Sequence, residues 1–241
     1  MRIIRAKDYE EMSRRTASII AAQIVAKPAS VLGFATGTTP IGAYRQLVKW
    51  CADDDISFKD VKTVNLDEYA GIPGTHDQSY RYFMFDNLFS HVDIDEKNVN
   101  LPDGMAEDYV VEGVRYDVLI DSLGGVDLQL LGIGRNGHIG FNEPCDYFPL
   151  GTHSVELTQS TIEANSRLFS DISEVPLVAI TMGIANIMAA RKIVIAINGK
   201  NKAEILKEAF FGPVTPKVPA SILQLHPDVV LVADEDALSA L

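Results

Sequence analysis

Val126-Asp127-Leu128-Gln129-Leu130-Leu131 runs directly into Gly132-Ile133-Gly134-Arg135-Asn136-Gly137-His138-Ile139-Gly140-Phe141-Asn142-Glu143-Pro144. The first six residues read as a buried strand. Four glycines within 132–140 keep a helix from forming over His138, and they allow positive φ and close approach of backbone to a ligand. A loop on the C-terminal end of a buried parallel strand is where open α/β sheets bind small molecules. An imidazole and a carboxylate five residues apart in such a loop point to acid–base chemistry, with Glu143 holding one ring nitrogen of His138.

Outward from this stretch the chain alternates apolar runs with amphipathic ones. Residues 8–26 carry Met12, Ile19, Ile20 and Ile24 among charges, which predicts a helix. Val31 to Ala35 is read as the first strand, followed by Thr36-Gly37-Thr38-Thr39-Pro40 and a helical pattern over 40–51. Val61 to Leu66 repeats the theme and ends in Asp67-Glu68-Tyr69. Tyr80, Phe83, Met84 and Leu88 share one helical face, and Val110, Val114 and Val118 mark another helix before the strand at 126–131. Strands follow at Val178 to Thr181, Ile193 to Ile197 and Val229 to Val232, with a helix at 201–211 stopped by Gly212-Pro213. The pattern predicts an α/β fold, a single-domain parallel sheet with helices on both faces, spanning residues 1–241. Residues 145–175 are the least regular and are expected to form a lid beside the site.

Composition narrows the function class. A length of 241 residues with 47% hydrophobic content supports one large core. The net charge of −12 argues against a nucleic-acid surface, which needs a basic stripe. No apolar run approaches a membrane span, and no basic-then-apolar leader starts the chain. Cys51 and Cys145 are far apart and read as reduced thiols, so a cytoplasmic protein without disulfides is expected. There is no H-E-x-x-H, Cys/His cluster or G-x-S-x-G, so neither a metal nor a serine nucleophile is expected.

Three further segments carry candidate chemistry. Strand, glycine turn and helix at Thr36–Pro40 would aim backbone N–H groups at an anion, although for this stretch alone an ordinary helix start with Thr39 as cap and Pro40 as first helical residue is the plainer reading. Asp67 and Glu68 close an apolar strand, where desolvation would raise a carboxyl pKa and make a base for neutral pH; a solvated acidic turn is the bland alternative. Arg167 and Lys202 are the cationic candidates. Lys202 at a helix start is unfavourable unless an anion is held there. His76 follows a Gly-Thr turn near Asp67 and is kept as a lesser candidate, while His91, His153 and His226 are read as structural or superficial.

Taken together, the motifs resemble the glucosamine-6-phosphate deaminase family over nearly the full chain: Ala35 to Pro40, Asn65 to Tyr69, Gly132 to Pro144, Ala164 to Phe169 and Leu223 to Pro227. The resemblance implies a Rossmann-like α/β fold and a cofactor-free reaction, glucosamine 6-phosphate and water giving fructose 6-phosphate and ammonia, formally by an isomerising hydrolase. It assigns Asp67 as the base moving a proton from C2 to C1, His138 as the group opening the pyranose ring, and Glu143 as its positioning carboxylate. Asn136 stands where many relatives have an aspartate completing that relay. Thr36, Gly37, Thr38, Thr39, Arg167 and Lys202 match the phosphate clamp. The longer, allosteric relatives place an arginine and a lysine where this chain has His153 and Val155, and they carry a C-terminal extension. No activation by N-acetylglucosamine 6-phosphate is therefore expected. A monomer fits the acidic surface, with a homo-oligomer left open. The rival readings are a 6-phosphogluconolactonase, against which the Phe141-Asn142-Glu143-Pro144 run discriminates, a sugar isomerase releasing no ammonia, and a non-catalytic sugar-phosphate sensor.

Overall fold

The computed structural model describes residues 1–158, 171 and 174–241. Its main sheet is built from β1 (Arg2–Ala6), β2 (Val31–Phe34), β3 (Lys62–Asn65), β5 (Val99–Asn100), β6 (Leu128–Leu131), β9 (Ile193–Ile197) and β10 (Val229–Asp234). These seven strands are all parallel, in the order β1-β10-β9-β6-β2-β3-β5. Three remaining strands, β4 (Asp67–Tyr69), β7 (His153–Glu156) and β8 (Val178–Thr181), form a small antiparallel sheet in the order β4-β8-β7. Val178 to Thr181 is thus a strand as expected, but of the side sheet.

Strand β9 is apolar at every position, and β10 is so up to its final Asp234, because both faces of the sheet are covered. Ile193, Ile195, Leu231 and Ala233 point into one core, and Val194, Ala196, Val230 and Val232 into the other. The second core is closed by α1 (Tyr9–Ala26), α2 (Ile41–Ala52) and α3 (Tyr80–Asn87). The first is closed by α4 (Tyr109–Ser122), α5 (Ile184–Ala189) and α6 (Ala203–Phe211).

Several expectations need correction. Val31 to Phe34 is not the first strand; β1 precedes α1 and lies at the sheet edge, where Arg2 and Arg5 stay exposed and only Ala6 is buried. Helix α4 exists, but Val110, Val114 and Val118 point to solvent at 73%, 60% and 61% exposure. Its buried stripe is Glu112, Gly113, Tyr116 and Ile120. The Tyr116 hydroxyl donates to Asn65 O and accepts from Asn65 N–H, and any side chain at Gly113 would collide with Thr152 O. Those contacts fix the helix rotation against the hydrophobic pattern. Of the segment 145–175 expected as a lid, residues 153–156 form β7, and the part over 159–170, 172 and 173 lies outside the described residues.

Topology places the site. From β2 the chain moves by way of α2 to β3 on one side, whereas from β6 it proceeds to β9 on the other. Neighbouring strands whose connections leave in opposite directions open a crevice at their carboxyl ends. The Thr36 loop follows β2 and the Gly132 loop follows β6, so both border that crevice.

Candidate active site

In the loop after β2, Gly37 adopts φ +95°, and the space a side chain would occupy is open. A φ in the left-handed region suits glycine alone without strain. Helix α2 begins at Ile41 after Pro40 and has no side-chain cap. The hydroxyl of Thr39 donates instead to Asn198 Oδ1 at 2.7 Å, tying the loop to the end of β9. The capped-helix alternative is therefore not what forms: the first turn keeps donors that an anion can accept.

The chain leaves the main sheet at Leu66, and Asp67 opens β4. Asp67 is paired in register with Thr181 and is 6% exposed. No donor among the described residues hydrogen-bonds its carboxylate, and burial, reinforced by the neighbouring Glu68 charge, pushes its pKa up to about 8. Glu68 has a different fate: it accepts the backbone N–H groups of Tyr69, Tyr80 and Arg81 at 2.9, 2.7 and 2.9 Å. One carboxylate anchors the start of α3 while the other stays unbonded and partly starved of solvent.

The glycine loop folds as a tight turn, with Gly134 N–H donating to His138 O at 2.9 Å. The imidazole of His138 lies flat over Gly134, where an added Cβ would come within 2.3 Å of Cε1 and Nε2. Nδ1 of His138 is 3.3 Å from Glu143 Oε1, near enough for ion pairing once the ring is protonated but out of hydrogen-bond alignment. Asn136 donates from Nδ2 to Glu143 Oε2 at 2.6 Å, and its Oδ1 accepts the His138 N–H at 3.3 Å. Asn136 thus holds Glu143 as a neutral donor; an aspartate in that place would need a proton to do the same. At Gly140 the backbone takes φ +59°, and a Cβ there would lie 2.8 Å from Thr181 Oγ1 and 3.5 Å from Asp67 Oδ2. The Asp67 carboxylate therefore packs against the turn that bears His138, in one crevice.

Lys202 ends a short 3₁₀ turn before α6, and its Nζ reaches across to donate to Ile133 O at 2.6 Å. Burial, together with the nearby Arg135 charge, lowers its pKa to about 8. A cation held at the border of the Gly132 loop fits an anion lodged between that loop and Thr36–Thr39. Arg167 lies outside the described residues. His76 is engaged in its own turn, accepting the Gln78 N–H on Nδ1.

Some of the site escaped the sequence reading. Tyr80, taken for a core residue, stacks on Phe141 with centroids 5.9 Å apart and planes at 7°, and Tyr69 packs on Tyr80 at 4.7 Å. Its hydroxyl lies beside Thr36 and the Tyr69 hydroxyl, and burial raises its pKa. Thr181 accepts the Phe141 N–H at 3.0 Å, joining β8 to the glycine loop. Neither has a local sequence signal beyond standing at an element terminus. A separate cavity behind Glu68 is lined by Arg81, Asn100, Asp103 and Arg115, and its arginines are already paired with Glu96 and Glu112. Among the described residues no group of three metal-ligating side chains occurs, and no helix is long and apolar enough to cross a membrane.

Residues 6–231 match the profile of a family described as glucosamine-6-phosphate isomerases/6-phosphogluconolactonase. A glucosamine-6-phosphate deaminase of Lachnoclostridium phytofermentans is 56% identical over 232 residues, covering 96% of this chain and 98% of that protein. One from Clostridioides difficile is 52% identical over 241 residues, covering 100% and 97%. A solved structure described as a monomeric glucosamine-6-phosphate deaminase superposes with a TM-score of 0.97 at 45% identity over 100% of both chains. A 6-phosphogluconolactonase from Trypanosoma brucei reaches 0.77 at 18% identity, covering 100% of this chain and 98% of that one, which is a likeness of fold alone. With a profile match over most of its length and relatives above half identity, this chain belongs to the glucosamine-6-phosphate isomerase/6-phosphogluconolactonase family.

Proposed function

We propose that this protein is a glucosamine-6-phosphate deaminase that converts the amino sugar phosphate to fructose 6-phosphate and ammonia. The observation that carries the reading is the packing of Asp67 Oδ2 against Gly140, two residues from His138, which brings base and ring-opening group to one crevice. The substrate phosphate is assigned to Thr36, Gly37, Thr38 and Thr39 with Lys202, and to Arg167 by family resemblance alone. The reading treats residues 1–241 as one domain.

The chemistry follows from these placements. His138 shuttles a proton to the ring oxygen, and Glu143, held by Asn136, stands 3.3 Å from its Nδ1 as counter-ion to the transient imidazolium. In the open chain the C1 aldehyde acidifies the C2 proton. Asp67, raised in pKa by its surroundings, accepts that proton near neutral pH and delivers it to C1. The enolamine becomes a ketimine, which water cleaves to release ammonia. The carbonyl serves as electron sink, so the scheme invokes no cofactor. Isomerising deamination describes this better than the class word hydrolase, which finds no support in the relatives' names.

The acidic surface speaks against a nucleic-acid partner, the unpaired Cys51 and Cys145 suit a cytoplasmic setting, and a monomer is the simplest state. The decisive assay measures ammonia release from glucosamine 6-phosphate beside hydrolysis of 6-phosphogluconolactone. Ammonia without lactone hydrolysis is expected; lactone hydrolysis without ammonia would assign the crevice to the other branch of the family.

A further inference from the structure

Helix α1 starts with a reciprocal cap: Asp8 Oδ1 accepts the Glu11 N–H at 2.9 Å, and Glu11 Oε2 accepts the Lys7 N–H at 2.9 Å. That start fixes Tyr9 as the first helical residue. Its hydroxyl donates to Thr38 O at 3.1 Å and accepts the Gly42 N–H at 2.9 Å. One phenol thus closes the Thr36–Thr39 loop onto the first turn of α2 from outside. The fit is tight, because a Cβ at Gly42 would lie 2.3 Å from Ser13 Oγ and 3.0 Å from the Tyr9 hydroxyl.

We infer that Tyr9 is a positioning residue for the anion loop: by holding the Thr38 carbonyl toward α1, it turns the Thr39 N–H the other way, as a bound phosphate requires. A trans peptide sets its C=O and N–H on opposite sides, so anchoring one aims the other. The same hydroxyl removes a carbonyl oxygen from the neighbourhood of the anion, where its negative end would repel. It also takes up the Gly42 N–H, leaving the Ile41 and Ala43 N–H groups and those of the loop as the donors of this end. Tyr9 touches no substrate on this account; it acts through Thr38 and Thr39. The inference rests on the phosphate assignment of the loop.

The test uses Tyr9→Phe, with Ser13→Ala as a control on α1–α2 packing and Thr39→Val as a control on the loop itself. In Tyr9→Phe, KM for glucosamine 6-phosphate should rise roughly three- to tenfold, the range of one net hydrogen bond, with kcat within about twofold. Competitive inhibition by inorganic phosphate should weaken by the same factor, and kcat/KM for unphosphorylated glucosamine should not change. Ser13→Ala should behave as the parent. An unchanged KM in Tyr9→Phe, or equal losses on both sugars, overturns the role of Tyr9. If Thr39→Val raises KM while Tyr9→Phe does not, only the inference on Tyr9 fails. If neither variant alters KM or phosphate inhibition, the loop assignment fails with it.

Discussion

Replacing Asp67 by asparagine should abolish most activity and make the fold sturdier, and the second effect carries a pH signature. The carboxyl is 6% exposed and titrates near 8 against an ordinary 3.8. Between those values the folded chain keeps a proton that the unfolded chain has released, so stability falls as pH rises through that window. With those two values, the penalty is about 2 kcal/mol at pH ~5 and about 5–6 kcal/mol at pH ~8.5. An amide of nearly the same shape never charges, so the stability gap between variant and parent should widen by up to about 4 kcal/mol over that range. If water entry and local relaxation absorb two thirds of it, the gap in Tm still widens by about 3–5 °C for a chain of this size. Calorimetry of both proteins at the two pH values reads this directly, because all other titrating groups cancel in the comparison. Ammonia release should show kcat reduced by roughly 10²–10⁴-fold, with a modest change in KM. A Tm gap that is constant or shrinks with pH would mean that Asp67 rests ionised and paired, and the account of its poise as a base would fall. An unchanged kcat would remove it from the proton transfer altogether.

Four other outcomes follow from the same geometry. Gly134→Ala must displace the imbricated His138 ring, since the new Cβ would sit 2.3 Å from Cε1; kcat should fall on the order of 10²-fold with circular dichroism unchanged, and full activity would show the ring is not held there. Lys202→Met should raise KM at least about tenfold; in the parent KM should rise as pH increases through about 8 and the ammonium loses its charge, and the variant should lack that rise. For the parent, kcat/KM should climb with pH to a limb near 8 set by Asp67, whereas the limb in kcat should lie lower, because the ammonium of bound substrate favours the carboxylate; coincident limbs would contradict that contact. Rate against substrate concentration should be hyperbolic, and N-acetylglucosamine 6-phosphate should not activate; sigmoidal curves abolished by that sugar would refute the non-allosteric reading.

The parts of the molecule legible beforehand were those whose physics is local. Runs such as Ile193 to Ile197 can be little other than strands buried on both faces, and the glycines around His138 announce a turn whatever surrounds it. What stayed hidden depends on partners distant in sequence. Among the described residues strand β1 pairs only with β10, more than two hundred residues away, and its arginines mask the two isoleucines between them. The valines of α4 suggested a buried face, yet the Tyr116 hydroxyl and the close passage at Gly113 outweighed them. Similarly, Asp67 and Glu68 are equivalent as letters. Only the three N–H groups that converge on Glu68 separate an anchoring acid from a titrating one. Asn136 stood out only by family resemblance, and its bond to Glu143 as a donor required the distance.

The little antiparallel sheet has a consequence for anyone reshaping this enzyme. Because Asp67 is laddered to Thr181, whose hydroxyl in turn receives the Phe141 N–H, the spacing of Asp67 and His138 is tied to one strand pairing and one side-chain hydrogen bond. Segments around the rim of the crevice can therefore be grafted or lengthened with those two links left intact, and the spacing of Asp67 and His138 should hold. A single proline at Phe141, which deletes that one N–H, should do more harm than many substitutions along the mouth.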